Sequence, residues 1–209
     1  KSICLVDEKF YKDLKLSINT NQVELLIGRE GLLEICKRKD VNIVLNGLVG
    51  AAGMEPTLFA LEAGVDVALS NKESLVMAGQ IIKRAMKLSG AKIFPVDSEH
   101  SAIWQCLVGE KNEDIKKIIL TGSGGPFRKR SLNTFNNISV DEALKHPNWS
   151  MGKKITIDSA TMMNKCLEVI EAYWLFEIEP KSIDIIIHPQ SIVHSMVEFN
   201  DGSIKAQLG

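Results

Sequence analysis

Short apolar runs alternate with longer amphipathic stretches through the first half of the chain. The apolar runs predict strands over residues 2–7, 23–27, 41–45, 65–69 and 92–96. The stretches between the later runs repeat their apolar positions at helical spacing and predict helices over residues 29–39, 55–63 and 73–88. Strands joined by helices of this length are typical of parallel crossover units, whose strands are buried on both faces. The pattern therefore predicts a doubly wound, Rossmann-like parallel sheet.

The pattern changes after residue 96, where strands and helices no longer alternate regularly. Ser139 followed by Glu142 is a capping-box signature, which predicts that a helix begins there. The other elements predicted for this half are a helix near 102–107, a strand at 118–121, a strand at 154–158, a long helix at 160–176, and strands at 183–187, 193–199 and 203–208. A turn signal at 200–202 joins the last two strands as a hairpin. We predict an α/β fold of two domains, residues 1–96 and residues 97–209, the second with a mixed sheet.

Composition and charge narrow the range of functions. The 209 residues are 45% hydrophobic and 24% charged, which is typical of a globular chain and excludes disorder, collagen and coiled coil. Lys and Arg number 25 against 26 Asp and Glu, and the net charge of -1 argues against nucleic-acid binding. No run of about 18 apolar residues is present to span a membrane. The four cysteines lack the spacing of a zinc site, so chemistry on a small molecule is the remaining expectation.

Both ends of the sequence carry strand-like segments. The chain starts at Lys1 without a methionine or a signal pattern, and it stops within the strand predicted at 203–208. The sequence is therefore expected to be a fragment of a longer protein.

Asp97, Ser98 and Glu99 follow the strand predicted at 92–96. Ligands of open α/β sheets bind at this edge of the sheet. On an extended backbone the two carboxylates would point to the same side and suit a hard cation such as Mg²⁺ or Mn²⁺. The same triplet in front of a helix suits an N-cap, with acidic residues at the positive end of the helix dipole. The local sequence favours the cap, and the two interpretations are compatible.

A glycine-rich loop follows the strand predicted at 118–121. Residues 121–126 place Ser123 among glycines whose backbone amides can approach an anion. The loop lacks the lysine of a nucleotide-binding P-loop, and taken alone an ordinary turn explains it better.

The helix predicted at 160–176 has an apolar stripe and an opposite polar face. Asn164, Lys165 and Glu168 lie on the polar face, and Ser159 precedes the helix where backbone amides favour an anion. A solvated face with an i,i+3 pair between Lys165 and Glu168 is the simpler interpretation. The alternative assigns Ser159, Asn164 and Lys165 to a phosphate and Glu168 to a metal ion.

Two further segments carry candidate ligand-binding groups. The loop at 146–152 contains His146 and Trp149, and it is either a buried aromatic anchor or a lid that closes over a substrate. Lys72 opens the helix predicted at 73–88, where it can meet a carbonyl, hydroxyl or phosphate group, whereas capping explains its neighbour Asn71. Of the remaining histidines, His188 is interpreted as part of a structural loop, and His100 and His194 as residues that either pack in the core or support the ligands of a site.

Six motifs together resemble one family, that of 1-deoxy-D-xylulose 5-phosphate reductoisomerase. They follow the family's order over essentially the whole chain, at residues 46–53, 71–76, 95–100, 121–127, 146–152 and 158–165. The resemblance implies an enzyme that uses NADPH and a divalent cation to isomerise and reduce a phosphorylated ketose. The product it implies is 2-C-methyl-D-erythritol 4-phosphate, for isoprenoid biosynthesis. The functional interpretation of each segment is therefore preferred over the simpler one.

The resemblance also implies roles for individual residues. The ligands of Mg²⁺ or Mn²⁺ are expected to be Asp97, Glu99 and Glu168. Catalytic roles are implied for these three carboxylates together with Lys72 and His146. Contacts with the substrate are implied for Lys72, Ser98, Glu99, Ser123, His146, Trp149, Ser159, Asn164, Lys165 and Glu168. Residues 1–96 become an NADPH-binding domain and residues 97–209 a catalytic domain, with NADPH contacts expected from Asn71, Glu73, Met151 and Gly152.

Several expectations concern the protein as a whole. The family's N-terminal glycine-rich NADPH loop and its C-terminal helical domain are absent from this sequence, so the chain alone is expected to bind NADPH poorly. A homodimer is expected, paired through strands near 193–208. The bacterial cytoplasm is the expected location, or a plastid where a transit peptide precedes the chain. Two alternatives stay open, namely another NAD(P)-linked oxidoreductase of phosphorylated sugars and an inactive phosphate-binding fragment.

Overall fold

Parallel strands and the helices between them build residues Lys1–Phe94, the first of two units in the computed structural model, which describes all 209 residues. The elements are β1 (Ser2–Leu5), α1 (Tyr11–Ser17), β2 (Glu24–Ile27), α2 (Gly28–Cys36), β3 (Ile43–Asn46), α3 (Met54–Glu62), β4 (Asp66–Leu69), α4 (Lys72–Ser89) and β5 (Ile93–Pro95). Strands β1 and β2 pair in parallel, and a separate three-stranded sheet has the order β3-β4-β5, with β3 parallel to β4. The predicted strands and helices of this half are confirmed, but the strands are divided between two separate sheets instead of forming one.

A mixed sheet organises the second unit, Pro95–Gly209. Its elements are α5 (Ser98–Cys106), β6 (Ile115–Gly122), α6 (Val140–Ala143), α7 (Lys153–Ala160), α8 (Met163–Phe176), β7 (Ile183–Ile187), β8 (Val193–Phe199) and β9 (Ile204–Leu208). The sheet has the order β7-β6-β8-β9, in which β6 is parallel to β7 and antiparallel to β8. The predicted mixed sheet, the hairpin of β8 and β9 and the capping box of Ser139 with Glu142 are confirmed.

The core of the second unit lies between this sheet and two helices. Residues from α5 and α8, such as Ile103 and Phe176, pack against Leu120 of β6 and Val197 of β8. Burial of each large apolar side chain contributes roughly 1.5–3 kcal/mol, so this contact fixes where α5 and α8 stand on the sheet. None of the helices combines the length and the apolar content that a membrane crossing requires.

The strand predicted at 154–158 is wrong, because this segment is helix α7. Lys154 and Asp158 form an i,i+4 ion pair at 2.7 Å, and the Thr156 hydroxyl donates to the carbonyl of Gly152 at 2.8 Å. The alternating apolar positions of this short segment fit a strand and a helix equally well. The i,i+4 contacts, which a strand cannot make, accompany the helical arrangement.

Two predicted helix boundaries are also wrong. The helix predicted at 160–176 is interrupted at Met162, whose φ of 62° lies in the left-handed region, and α8 begins only at Met163. Ser159 therefore lies in the last turn of α7 and does not precede α8. The helix predicted near 102–107 begins earlier, at Ser98, so Glu99 is in its first turn and the extended arrangement of Asp97 and Glu99 is wrong.

Candidate active site

A cavity of about 400 Å³ lies at the C-terminal end of β6 in the second unit. This volume is within the range of small-molecule sites. The predicted residues that line it are Asp97, Ser98, Glu99, Ser123, His146, Trp149, Met151, Ser159, Asn164 and Lys165. They come from the start of α5, the glycine-rich loop, the loop at 146–152 and the junction of α7 with α8. Segments far apart in sequence therefore converge on one site.

Three carboxylates meet beside this cavity. Asp97, Glu99 and Glu168 each offer an oxygen, and these oxygens lie within 4.8 Å of one another. Asp97 occupies the N-cap position of α5, but its side chain makes no capping hydrogen bond, so the capping interpretation of this side chain is wrong. The predicted metal ligands are thus brought together by the packing of α5 and α8 on the sheet.

The electrostatics of Glu99 reflect this crowding. Burial of its carboxyl group, followed by the nearby charge of Glu168, raises the pKa of Glu99 from 4.5 to about 7, while the ammonium of Lys165 opposes the rise. Converging carboxylates that are partly shielded from water cannot all ionise at low cost without added positive charge. The cluster therefore favours a proton or a cation.

Lys165 supplies positive charge to the cluster from inside the protein. Its ammonium lies 2.5 Å from Oε2 of Glu168 and 3.6 Å from Oε1 of Glu99, and it donates to the carbonyl of Thr121 at 2.7 Å. Asn164 donates to the other oxygen of Glu168 at 2.5 Å. The pair of Lys165 and Glu168 exists as predicted, but both side chains are buried.

The exposure of α8 therefore differs from the simpler prediction, although its apolar residue Phe176 is buried in the core as expected. The solvated polar face is wrong, because Lys165 and Glu168 point into the protein, whereas Met163 and Ile170 of the apolar stripe are 50% and 39% exposed. A buried lysine and carboxylate are stable only when they are paired and hydrogen-bonded, and here they are. Burial of these groups beside a cavity favours a functional site over a solvated helix face.

The glycine-rich loop packs closely against the end of α7. Gly124 and Gly125 have φ values of 80° and 67°, and a Cβ atom on Gly125 would lie 2.7 Å from the carbonyl oxygen of Ser159. No other residue fits there without displacement. The two glycines thus bring Ser123 and Ser159 to the same wall of the cavity.

The loop at 146–152 covers part of the cavity without burying its tryptophan. Trp149 is 53% exposed, so the buried-anchor interpretation is wrong. The ring of His146 lies 3.1 Å from the Ser123 hydroxyl through Nε2, and its Nδ1 accepts from the amides of Asn148 and Trp149. The position of the loop at the mouth of the cavity is compatible with a lid.

Two histidines near this site were expected from the sequence only to pack in the core or to support other ligands. His194 lines the cavity, with Nδ1 3.8 Å from Oε1 of Glu99. His100 is fully buried; its Nε2 donates to the carbonyl of Glu168 at 2.9 Å, and its Nδ1 lies 3.3 Å from Glu171. His100 and Glu171 connect α5 to α8, so the packing interpretation of His100 is supported. Two features of the sequence could have indicated this contact. His100 directly follows Glu99, and Glu171 lies one helical turn after Glu168.

The predicted NADPH residues are divided between the units. Asn71 of the first unit caps α4 and donates to the carbonyls of Leu48 and Gly50 at 2.6 and 2.9 Å, and it also contacts Glu73. A Cβ atom on Gly53 would lie 2.5 Å from the Asn71 side chain. The loop at 47–53 and the start of α4 are therefore packed tightly against each other.

The other predicted residues take separate positions. Lys72, a predicted substrate contact, is buried in the first turn of α4, in the first unit. Met151 lines the cavity of the second unit, and Gly152 stands at the N-cap position of α7.

Comparison with known proteins decides the family. A family model described as 1-deoxy-D-xylulose 5-phosphate reductoisomerase matches residues 1–79, and a model of the C-terminal domain of that enzyme matches residues 93–176. The chain belongs to the 1-deoxy-D-xylulose 5-phosphate reductoisomerase family. Among curated reductoisomerases, that of Chloroherpeton thalassium is 56% identical over 209 residues, all of this chain and 54% of the relative. That of Chlorobaculum tepidum is 54% identical over 203 residues, 97% of this chain and 53% of the relative.

Solved structures of reductoisomerases share the fold. A crystal structure described as DOX-P reductoisomerase in complex with NADPH, fosmidomycin and magnesium has a TM-score of 0.91 and 47% identity over all of this chain and 54% of its own. The Zymomonas mobilis reductoisomerase in complex with NADPH has a TM-score of 0.91 and 43% identity, covering 100% of this chain and 53% of its own. The α/β fold class is thereby confirmed. The chain spans about half the length of the relatives it matches.

Proposed function

We propose that this chain provides the metal- and substrate-binding site of an enzyme that converts 1-deoxy-D-xylulose 5-phosphate to 2-C-methyl-D-erythritol 4-phosphate. The reaction is an isomerisation followed by reduction with NADPH. The observation that carries the proposal is one cavity at which three carboxylates, a buried lysine and three of the predicted serines converge. Solved relatives that bind NADPH, fosmidomycin and magnesium support the same assignment.

The carboxylate cluster fits a divalent cation. Asp97, Glu99 and Glu168 offer only oxygen donors, which Mg²⁺ and Mn²⁺ prefer. Burial and the nearby charge of Glu168 raise the pKa of Glu99, and a bound cation would stabilise the ionised carboxylates against both effects. A cation held there supplies Lewis-acid polarisation of the substrate's carbonyl group. His100 and Glu171 keep α5 and α8 in register, so the ligands contributed by the two helices stay close together.

A second set of side chains at the cavity fits the phosphate group of a ketose phosphate. Ser123, Ser159 and Asn164 offer neutral hydrogen-bond donors, and Lys165 offers a charged one. Ser98, between two of the metal ligands, suits a hydroxyl of the substrate. Phosphate binding at one end would fix the position of the reacting carbons at the other, and the loop carrying His146 and Trp149 would exclude water.

The first unit is assigned to the cofactor. NADPH supplies the hydride for the reduction when it is bound. Asn71 shapes the loop at 47–53, and Glu73 lies beside it, so we assign both to the nicotinamide side together with Met151 and Gly152. Lys72 is assigned to the substrate. We further propose a cytoplasmic homodimer that pairs through β9, an edge strand with exposed Ile204 and Leu208.

The test is NADPH oxidation by a chimera in which these 209 residues replace the matching half of the Chloroherpeton thalassium reductoisomerase. We expect turnover of 1-deoxy-D-xylulose 5-phosphate with Mn²⁺ or Mg²⁺, and no turnover in excess chelator, because the polarised carbonyl requires the cation. The 209-residue chain alone is assayed beside the chimera.

The alternatives give different results in the same assay. Turnover that persists in excess chelator would indicate a different NAD(P)-linked oxidoreductase. A folded chimera that binds phosphate without oxidising NADPH would indicate an inactive phosphate-binding chain, and either result would contradict the proposal.

A further inference from the structure

The side chain of His146 forms the turn at the start of the loop at 146–152, and Asn148 ties that loop to the carbonyl of Pro189 at 2.9 Å and to the Ser191 hydroxyl at 3.2 Å. The backbone amides of Asn148 and Trp149 both donate to Nδ1 of His146, at 3.2 and 3.0 Å. Asn and Asp side chains commonly form turns of this kind with the amide two residues ahead, and here a ring nitrogen takes the place of the carboxylate or amide oxygen. The backbone at Trp149 is therefore held by a lone pair at Nδ1 in addition to the contacts of the Asn148 side chain.

This arrangement fixes the tautomer of the ring. A neutral imidazole has one protonated and one unprotonated nitrogen, and a nitrogen that accepts from two amides is the unprotonated one. The proton is therefore on Nε2, which lies 3.1 Å from the hydroxyl of Ser123 and donates to it. One side of the ring forms the turn, and the other side contacts Ser123 of the glycine-rich loop.

The same hydroxyl receives a second hydrogen bond. The amide of Gly125 donates to the Ser123 oxygen at 3.2 Å. A serine hydroxyl has two acceptor lone pairs and one proton, so with both lone pairs engaged the O–H must seek a separate acceptor. Ser123 lines the cavity, where an anion is such an acceptor.

We propose that His146 is a positioning residue, whose Nδ1 folds the lid turn and whose Nε2–H directs the Ser123 hydroxyl proton toward a phosphate oxygen. The inference rests on the proposed function for the identity of the anion, the phosphate of the substrate. It assigns His146 no proton transfer. The imidazole of His146 thus connects the backbone position of Trp149 to the direction in which the Ser123 hydroxyl donates its hydrogen bond.

The surroundings of His146 favour the neutral ring. Burial lowers the pKa of His146, and a proton on Nδ1 would face two amide donors. Charged or titratable side chains also lie on the segments around His146. Glu142 pairs with Arg130, and Lys154 pairs with Asp158 of α7. The others are Arg128 of the Ser123 loop, Lys145, His188 and Lys165. We expect the turn to open in acid, when Nδ1 gains a proton.

Nitrogen-15 spectra of the histidine rings test the tautomer directly, without turnover. In the 209-residue chain we expect the His146 ring, assigned by its loss in His146→Asn, to show an unprotonated Nδ1 and a protonated Nε2 at neutral pH. A protonated Nδ1 at neutral pH would overturn the proposal.

Two matched variants separate the two sides of the ring, with inorganic phosphate as the probe. His146→Asn keeps an acceptor for the turn and loses the donor to Ser123, so phosphate affinity should fall about fivefold while the amides of 148 and 149 stay protected from exchange. His146→Gln keeps a donor near Nε2, so affinity should change less than about twofold while that protection is lost.

A double-mutant cycle supplies a readout that a merely structural role would not move. Ser123→Ala should weaken phosphate binding by about tenfold or more, and His146→Asn should have no further effect in that background. Additive losses, or no phosphate binding by the unmodified chain, would contradict the proposal. If the chimera has no turnover but the chain shows the expected non-additive losses of phosphate affinity, only the proposed function is rejected. If the chimera turns over substrate but the losses are additive, only the role of His146 is rejected.

Discussion

Glu168→Gln is expected to weaken Mn²⁺ binding by at least about a hundredfold and to lower kcat of the chimera by about a thousandfold or more. Glu168 is fully buried and provides one of three converging carboxylate oxygens. Gln keeps the size of the side chain but removes the charge on which the cation depends. Isothermal titration with Mn²⁺ and the rate of NADPH oxidation measure the two effects.

Glu171→Gln is the matched control, because Glu171 is equally buried and lies one turn further along α8. It belongs to a second cluster with Asp97 and His100, in which the ligand atoms are also within 4.8 Å of one another. Because Glu171 faces His100, we expect its substitution to weaken Mn²⁺ binding less than tenfold. A larger loss for Glu171→Gln than for Glu168→Gln would place the metal in the second cluster and contradict our assignment.

The metal-free protein is expected to lose stability as the pH rises from about 5 to 8. Glu99 has a pKa of about 7 in the fold and 4.5 when unperturbed, so between these values the folded chain binds more protons than the unfolded chain. Protonated Glu99 makes its full contribution to the free energy of unfolding below pH 4.5. This contribution, roughly 3 kcal/mol in total, is lost as the pH rises through 7. Thermal unfolding in chelator, followed by circular dichroism, measures this slope.

Mn²⁺ and substitution should each remove this pH dependence. At pH 8 the cation binds the ionised cluster in the folded state only, so it should raise the melting temperature. Glu99→Gln should flatten the slope in chelator and abolish the stabilisation by Mn²⁺. The exposed Glu179→Gln variant, which leaves the cluster intact, should retain both effects. An unchanged slope in Glu99→Gln would show that another group is responsible.

Sequence patterns predicted the elements whose environment is uniform. The central strand β6 has four consecutive buried residues, Ile118 to Thr121, because β7 and β8 flank it and helices cover it. Its apolar run was therefore a reliable signal. The segment of α7 was assigned wrongly because alternation over five residues does not distinguish a strand from a helix. The break at Met162 was missed because a methionine rarely adopts a positive φ.

The site was predicted by family motifs and not by local chemistry. Hydrophobic periodicity placed the polar face of α8 in water, since Lys165 and Glu168 are ordinarily exposed. They are buried because groups from other segments pair with them, including the carbonyl of Thr121. Such long-range pairing leaves no trace in periodicity. The role of His146 was likewise inaccessible, because a tautomer depends on atoms brought together only in the folded chain.

The central claim is that the carboxylate cluster and the side chains proposed to bind phosphate form one site. Phosphorus-31 relaxation of inorganic phosphate added to the Mn²⁺-loaded chain tests it most directly, because the paramagnetic ion broadens only nearby nuclei. With unbound Mn²⁺ removed by gel filtration before phosphate is added, we predict strong broadening in the unmodified chain, none with Mg²⁺ in place of Mn²⁺, and none in Glu168→Gln. Phosphate that binds without Mn²⁺-dependent broadening, or broadening that persists in Glu168→Gln, would contradict the account.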